Sequence, residues 1–432
     1  MGTAVVNSHA DRGGRLIQAV FFLSPLATAV APRLVTSFIA IVGFTLIGSA
    51  LRRGIRWREL LPRSRALAAC LLFAAYVLLS AAWSADPLAG GGKAALLISL
   101  ILIAFAAIEA ASTLDKRIAR RAAVAFAAGA SLGIIFVAFE ILTDGLATRT
   151  AMRWLPLLER SPKHVKFSGD GGLKGLRPSK LDQNANMVMF HLWPGMLALM
   201  GLTGGRRAVA LVLFFVLSAA TIAISEHDSS QVAIVGSGIV LFLAWHWRRR
   251  VIVTLAVAWC AAFALVVPAS FLAYDSGLHF AEWLPKSARS RVVLWEFTAE
   301  QTLKHPVLGA GVDSTPHLSQ LQKETSAPEW PEGFIYPRKL GHHAHSIFLQ
   351  TWSELGAIGA ILFAIAGACV AMLILLLPAA AQPSAAAAFA AFALVGAFAW
   401  GMWQSWFMCA AALLPIYVRI TTATVRADDH WE

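Results

Sequence analysis

The sequence predicts an all-α polytopic membrane protein with about 12 transmembrane helices. Apolar residues fill 58% of the 432 positions and charged residues only 14%, whereas a soluble domain is about half apolar and a quarter charged. The apolar residues gather into runs of about 20, the length a helix needs to cross a bilayer. Mean hydropathy is +0.66, a surplus that points into lipid.

In chain order the expected spans are 16–32, 34–51, 66–84, 93–112, 122–143, 186–203, 208–224, 232–247, 251–272, 357–378, 385–401 and 405–421. Only the stretch MWQSWF divides the last two, so an 11-span reading stays open. No small-residue cleavage site follows the first span, which reads as a retained helix. The whole chain, 1–432, reads as a single integral membrane domain.

Arginines give the orientation. The loop 52–65 holds six Arg, and 113–121 holds Lys116, Arg117, Arg120 and Arg121. Arg206–Arg207 and Arg248–Arg250 mark two more short loops, while ADPLAGGG and SEHDSSQ carry only acidic charges. Lys/Arg-rich loops stay cytoplasmic. Both termini are therefore expected in the cytoplasm, and the formal charge of +12 mostly reports topology. No basic patch with aromatic platforms lies outside the spans, so no nucleic-acid partner is expected. Cys70, Cys260, Cys369 and Cys409 all fall within spans and read as core filler.

Two long loops lie on the expected outer face. The first, 144–185, carries eight Lys/Arg against four Asp/Glu, a net +4 that suits an anionic partner. The second, 273–345, contains a helix-period segment, ARSRVVLWEFTAEQTLKHP. There Glu296, Glu300 and Lys304 form a polar stripe, and Val292, Trp295, Ala299 and Leu303 an apolar one. Arg289 and Arg291 sit at its start, where the helix dipole disfavours cations unless an anion binds. Glu109, Glu140 and His246 fall near span ends and His191 early in a span. A transporter usually places such groups at mid-membrane, so the pattern favours an outer-face active site.

The segment GHHAHS brings His342, His343 and His345 together before an apolar run. Three readings stand at this point: a metal site, although no local spacing matches a known zinc motif; an interfacial cluster without chemistry; and a general base. Ser346 is a good helix N-cap, which puts His345 beside a positive helix end and favours neutral imidazole. On the helix that follows, Gln350 shares a face with Ser346.

His345-Ser346, nine residues, then Gly356-Ala357-Ile358-Gly359 resembles the H-[NSQ]-x9-G-x-x-G signature of the bacterial O-antigen ligase and polymerase superfamily. Arg291-Val-Val-Leu-Trp295 followed by His305-Pro306-Val-Leu-Gly309-Ala-Gly311 is similar to its R-x-x-x-W…hPxxGxG segment, and SAAWSADP at 80–87 to its early S-x-x-W-S-x-D-P turn. The resemblance implies a GT-C-like, metal-independent inverting glycosyltransferase on the periplasmic face of the inner membrane. Its donor would be an undecaprenyl-diphosphate-linked glycan, and its acceptor a sugar hydroxyl of lipid A-core or a similar glycolipid. It needs no cofactor.

Carried over by position, His345 is the base and Arg291 the main diphosphate ligand; Arg289 is added by proximity, with His343 and Gln350 as substrate contacts. Many relatives have a further arginine where this chain reads ISEHDSSQVAI, and Arg177 in the basic loop is the candidate substitute. A polymerase joining lipid-linked repeat units would use the same chemistry. A flippase or transporter is the alternative of another class.

Overall fold

The computed structural model describes residues 2–154, 165–167, 173–176, 180–321 and 341–425. It is helical throughout, apart from one small ribbon. The first five helices are α1 (Gly2–Val30), α2 (Val35–Arg52), α3 (Arg65–Ser80), α4 (Pro87–Ser112) and α5 (Lys116–Leu142). A short helix α6 (Leu146–Trp154) and an antiparallel pair, β1 (Val165–Phe167) and β2 (Leu173–Leu176), lie inside the basic loop 144–185. Then come α7 (Asp182–Leu199), α8 (Gly205–Ala223), α9 (Asp228–Asp275), α10 (Lys286–Thr302) and α11 (Thr315–Leu321). Three long helices close the chain: α12 (Ile347–Leu373), α13 (Gln382–Phe398) and α14 (Ser405–Thr421).

Among the described residues, ten helical stretches are long and apolar enough to cross a membrane. Two features reconcile ten with the twelve expected. The expected spans 232–247 and 251–272 form one 48-residue helix, α9, broken at Trp247, whose φ of −129° and ψ of 42° leave the helical region just before Arg248. The other is α7, which is less apolar because it carries Asn184, Asn186 and His191. It lies inside the bundle with nearly every residue buried, so its polar groups meet protein instead of lipid. Asn184 donates to Ala29 O (2.6 Å), and Trp193 donates from Nε1 to Ser237 Oγ (3.0 Å). The break at residues 399–404 separates α13 from α14, which favours twelve over eleven.

Small residues let the helices approach. A Cβ on Gly129 would sit 2.0 Å from Phe22 O, so α5 can lie against α1 only with glycine there. At one end of the bundle the arginine-rich loops meet: Arg53 donates to Thr113 O (2.7 Å) and Arg120 to Gly201 O (2.7 Å). Loops 81–86 and 303–314 meet at the other end, where Ser84 donates to Val312 O (2.6 Å). Ser287 of α10 donates there to Asp228, the first residue of α9 (2.5 Å).

Two local expectations are corrected. Glu296 was assigned to a polar stripe and Leu303 to an apolar one; Glu296 is buried and Leu303 is 59% exposed. The packed face of α10 instead runs through Val292, Val293, Glu296, Ala299 and Thr302, because the helix lies against α9 and α12 rather than on a flat surface. The tenth span also starts earlier than residue 357: α12 is helical from Ile347 and contains a break at Gly356.

Candidate active site

His345 stands at the entrance to α12. Its backbone is left-handed (φ 52°), and the next residue, Ser346, is extended and accepts a hydrogen bond from Leu349 N as the N-cap. This turn swings the imidazole towards the break between α13 and α14. There Nδ1 lies 2.7 Å from the carbonyl oxygen of Ala399. A carbonyl only accepts, so Nδ1 carries the proton and Nε2 keeps its lone pair. The backbone N–H of His345 in turn donates to Nδ1 of His343 (3.3 Å), and the two rings lie 4.0 Å apart. Trp295 of α10 donates from its indole to Ala344 O (2.9 Å), pinning the segment from the other side.

The electrostatics keep these rings neutral. Burial, then the Arg291 charge, pushes His345 down to about 4, against the pull of its bond to Ala399. Burial, His345, His342 and Arg291 push His343 down to about 3. The expected neutrality is present, but its main cause is desolvation rather than a helix dipole. Arg291 is itself buried enough to weaken its hold on its proton, which Asp228 and Asp182 counter. One guanidinium thus stands within electrostatic reach of both histidines and of two carboxylates.

The segment that lacks the family arginine supplies His227. It caps α9, its Nδ1 accepting from Ser230 N (3.2 Å), and its ring stacks on Trp400 at 6.0 Å. Burial and Arg291 push it down to about 4, so it adds no second cation at neutral pH. Arg289 lies two residues before Arg291 on α10, and its Nε is buried with no hydrogen-bond partner. Arg177 lies outside the described residues. Among the described residues no three His, Cys, Asp or Glu side chains are grouped to hold a metal ion.

Gln350 is buried and engaged at both ends of its amide: Oε1 accepts from Met402 N (3.1 Å) and Nε2 donates to Glu354 (3.1 Å). Glu354 was missed by the sequence reading. Its carboxylate accepts from Asp313 N (2.8 Å), Thr315 N (3.1 Å), the Thr315 hydroxyl, Gln350 and the Trp403 indole. A fully buried carboxylate persists only with such partners. The one available signal was an acidic residue at the edge of an apolar run.

Three of the sequence motifs meet around this carboxylate. At Gly356 (φ 60°, ψ −164°) α12 breaks, freeing backbone groups that must be satisfied inside the protein. The HPVLGAG turn takes them up: Ala310 N donates to Ser353 O (3.0 Å), Gly311 N to Glu354 O (2.8 Å), Ala357 N to Pro306 O (2.9 Å) and Ile358 N to Val307 O (3.3 Å). Tyr76 of α3 donates to Leu355 O (3.1 Å). Ser84 and Asp86 of the SAAWSADP turn hold this arrangement from behind, Ser84 on Val312 and Asp86 as the N-cap of α4. A Cβ on Gly309 would lie 2.3 Å from the Glu354 carbonyl carbon, which explains the glycine. The glycine motifs build a clamp on a broken helix; the chemistry-bearing groups stand one to three turns away.

Residues 213–364 match the family model described as O-antigen ligase. This segment is similar to the O-antigen ligase family. It runs from α8 through the clamp and contains Arg291, His345, Gly356 and Gly359, on which the resemblance rested, as well as Glu354. A Rickettsia conorii protein provisionally described as a polysaccharide ligase is 24% identical over 210 residues, covering 46% of this chain and 48% of its own length. The match thus spans about half of that relative. The matched segment holds α9, α10, α11 and the first part of α12; Ala399, just past the end of α13, lies beyond it.

Proposed function

We propose that this chain is a ligase-type glycosyltransferase acting at the periplasmic face of the bacterial inner membrane, with both termini in the cytoplasm. The donor is a glycan on undecaprenyl diphosphate, and the acceptor is a sugar hydroxyl of lipid A-core or a similar glycolipid. His345 Nε2 takes the proton of that hydroxyl as its oxygen attacks the anomeric carbon from the face opposite the diphosphate. The bond between the anomeric carbon and the phosphate oxygen breaks, its electron pair leaving with the diphosphate, and the new linkage is inverted. Arg291, helped by Arg289, stabilises the departing charge, since a planar guanidinium grips phosphate oxygens in two places. Asp182 and Asp228 keep Arg291 charged while the site is empty. His343 and Gln350 hold the base and the helix behind it.

The observation that carries this reading is the bond from His345 Nδ1 to Ala399 O, which leaves the opposite ring nitrogen able to accept a proton. The O-antigen ligase match over residues 213–364 and the polysaccharide-ligase description of the R. conorii relative support it. The arginine-rich loops gathered at the opposite end support the orientation.

The test is a deletion strain carrying wild type or His345→Ala, with lipid A-linked and carrier-linked glycan read on gels. Long chains accumulating on the lipid carrier, with none on lipid A, support ligation. Single repeat units alone would move the assignment to a polymerase. Normal glycan in the mutant removes His345 as the base.

A further inference from the structure

A cavity of about 770 Å³ opens beside the clamp. None of His343, His345 and Arg291 lines it. Its walls include Trp83, Lys304, His305, Val307, Leu308 and Ser353, and Glu354 forms part of its floor. The volume is that of a typical small-molecule site.

Three features define what would fit. First, the available polar groups are donors or cations. Glu354 is the one carboxylate in the lining, and both its oxygens are occupied by Asp313, Thr315, Gln350 and Trp403. Lys304 gives one hydrogen to the neutral Gln301 amide (2.7 Å) and keeps its charge and two further donors. His305 stands next to it in the cavity wall. Second, the rim is apolar and open: Val307 and Leu308 line it and are both half or more exposed. Third, Val307 O accepts from Ile358 N of the membrane-crossing α12. That bond ties the rim to the apolar α12, on which Ile361 is also exposed. A lysine ammonium and an imidazole N–H beside an exposed apolar rim complement an anion that carries an aliphatic tail.

We propose that this cavity binds the phosphate headgroup of an anionic bilayer phospholipid. Lys304 and His305 engage the phosphate, and Val307 and Leu308 lie along the first part of the acyl chains. The site is independent of the transfer chemistry assigned to His345. It bears on that chemistry structurally, because the residues that wall the cavity also hold the break in α12 behind His345.

The experiment is native mass spectrometry of the purified full chain titrated with phosphatidylglycerol, phosphatidylcholine, undecaprenyl phosphate or glycerol 1-phosphate. Wild type should retain phosphatidylglycerol about tenfold more tightly than phosphatidylcholine, the size of one charge-assisted hydrogen bond. Lys304→Glu should erase that preference, His305→Gln should weaken it, and Lys116→Glu at the opposite end should leave it intact. Lys304 is exposed, so an unchanged melting temperature in phosphatidylcholine separates lost binding from lost fold. Equal retention of both phospholipids, or a preference that survives both cavity variants, overturns the site. Competition by glycerol 1-phosphate would make it a site for free phosphate, and tighter retention of undecaprenyl phosphate would assign it to the donor; either overturns the phospholipid.

Discussion

His345 donates from Nδ1 to the carbonyl oxygen of Ala399 across 2.7 Å, joining the start of α12 to the break between α13 and α14. The two residues are 54 positions apart. The bond fixes the ring tautomer, and the tautomer fixes which nitrogen can act. His345→Gln keeps a side-chain donor for Ala399 but has no basic nitrogen. Transfer should fall about 10²–10⁴-fold in this variant, while its melting temperature stays close to wild type. A variant that melts early would show the histidine serving the fold instead.

Arg291→Lys should keep the charge near Asp182 and Asp228 and lose the fork. We expect normal expression, a normal melting temperature and severely reduced transfer. Near-normal transfer would place the diphosphate elsewhere.

The histidine pair makes stability depend on pH. Native His345 and His343 hold their protons only near pH 4 and 3, against an ordinary value of 6.5. Between those limits the unfolded chain binds more protons than the folded one, so stability is full above about pH 6.5 and is lost as pH falls towards 4. In detergent, the melting temperature should drop over that window. The double variant His343→Gln/His345→Gln should flatten the drop; an unchanged slope would assign it to other groups.

Glu354→Ala removes the acceptor for five donors, each costing about 1–3 kcal/mol when buried without a partner. The variant should fail to accumulate as folded protein. Glu354→Gln retains one oxygen and should fold with a lowered melting temperature. Wild-type stability in Glu354→Ala would mean that the donors find other partners.

Gly356→Ala places a Cβ 2.3 Å from Val307 O at a left-handed position. Strain of about 1–2 kcal/mol adds to the clash. The variant should be clearly less stable than Ala357→Gly, which alters the adjacent position without either penalty. Equal melting temperatures would remove the clamp from the account of stability.

The sequence by itself determined the membrane class, the number of spans to within the Trp247 bend, and the placing of His345 and Arg291 in one long loop system. Hydropathy is a local property that the bilayer reads directly, and the helix cap at Ser346 is likewise set by a few neighbouring residues. The tertiary structure decided the rest. Only the fold brings Ser84 to Val312, 228 positions away, and thereby turns glycine-rich motifs into a clamp on a broken helix. Only the fold buries Glu296, saturates Glu354 and sets Arg291 between histidines and carboxylates. Those outcomes depend on which helices pack together, and desolvation and hydrogen bonding over such separations leave no periodic trace in the chain.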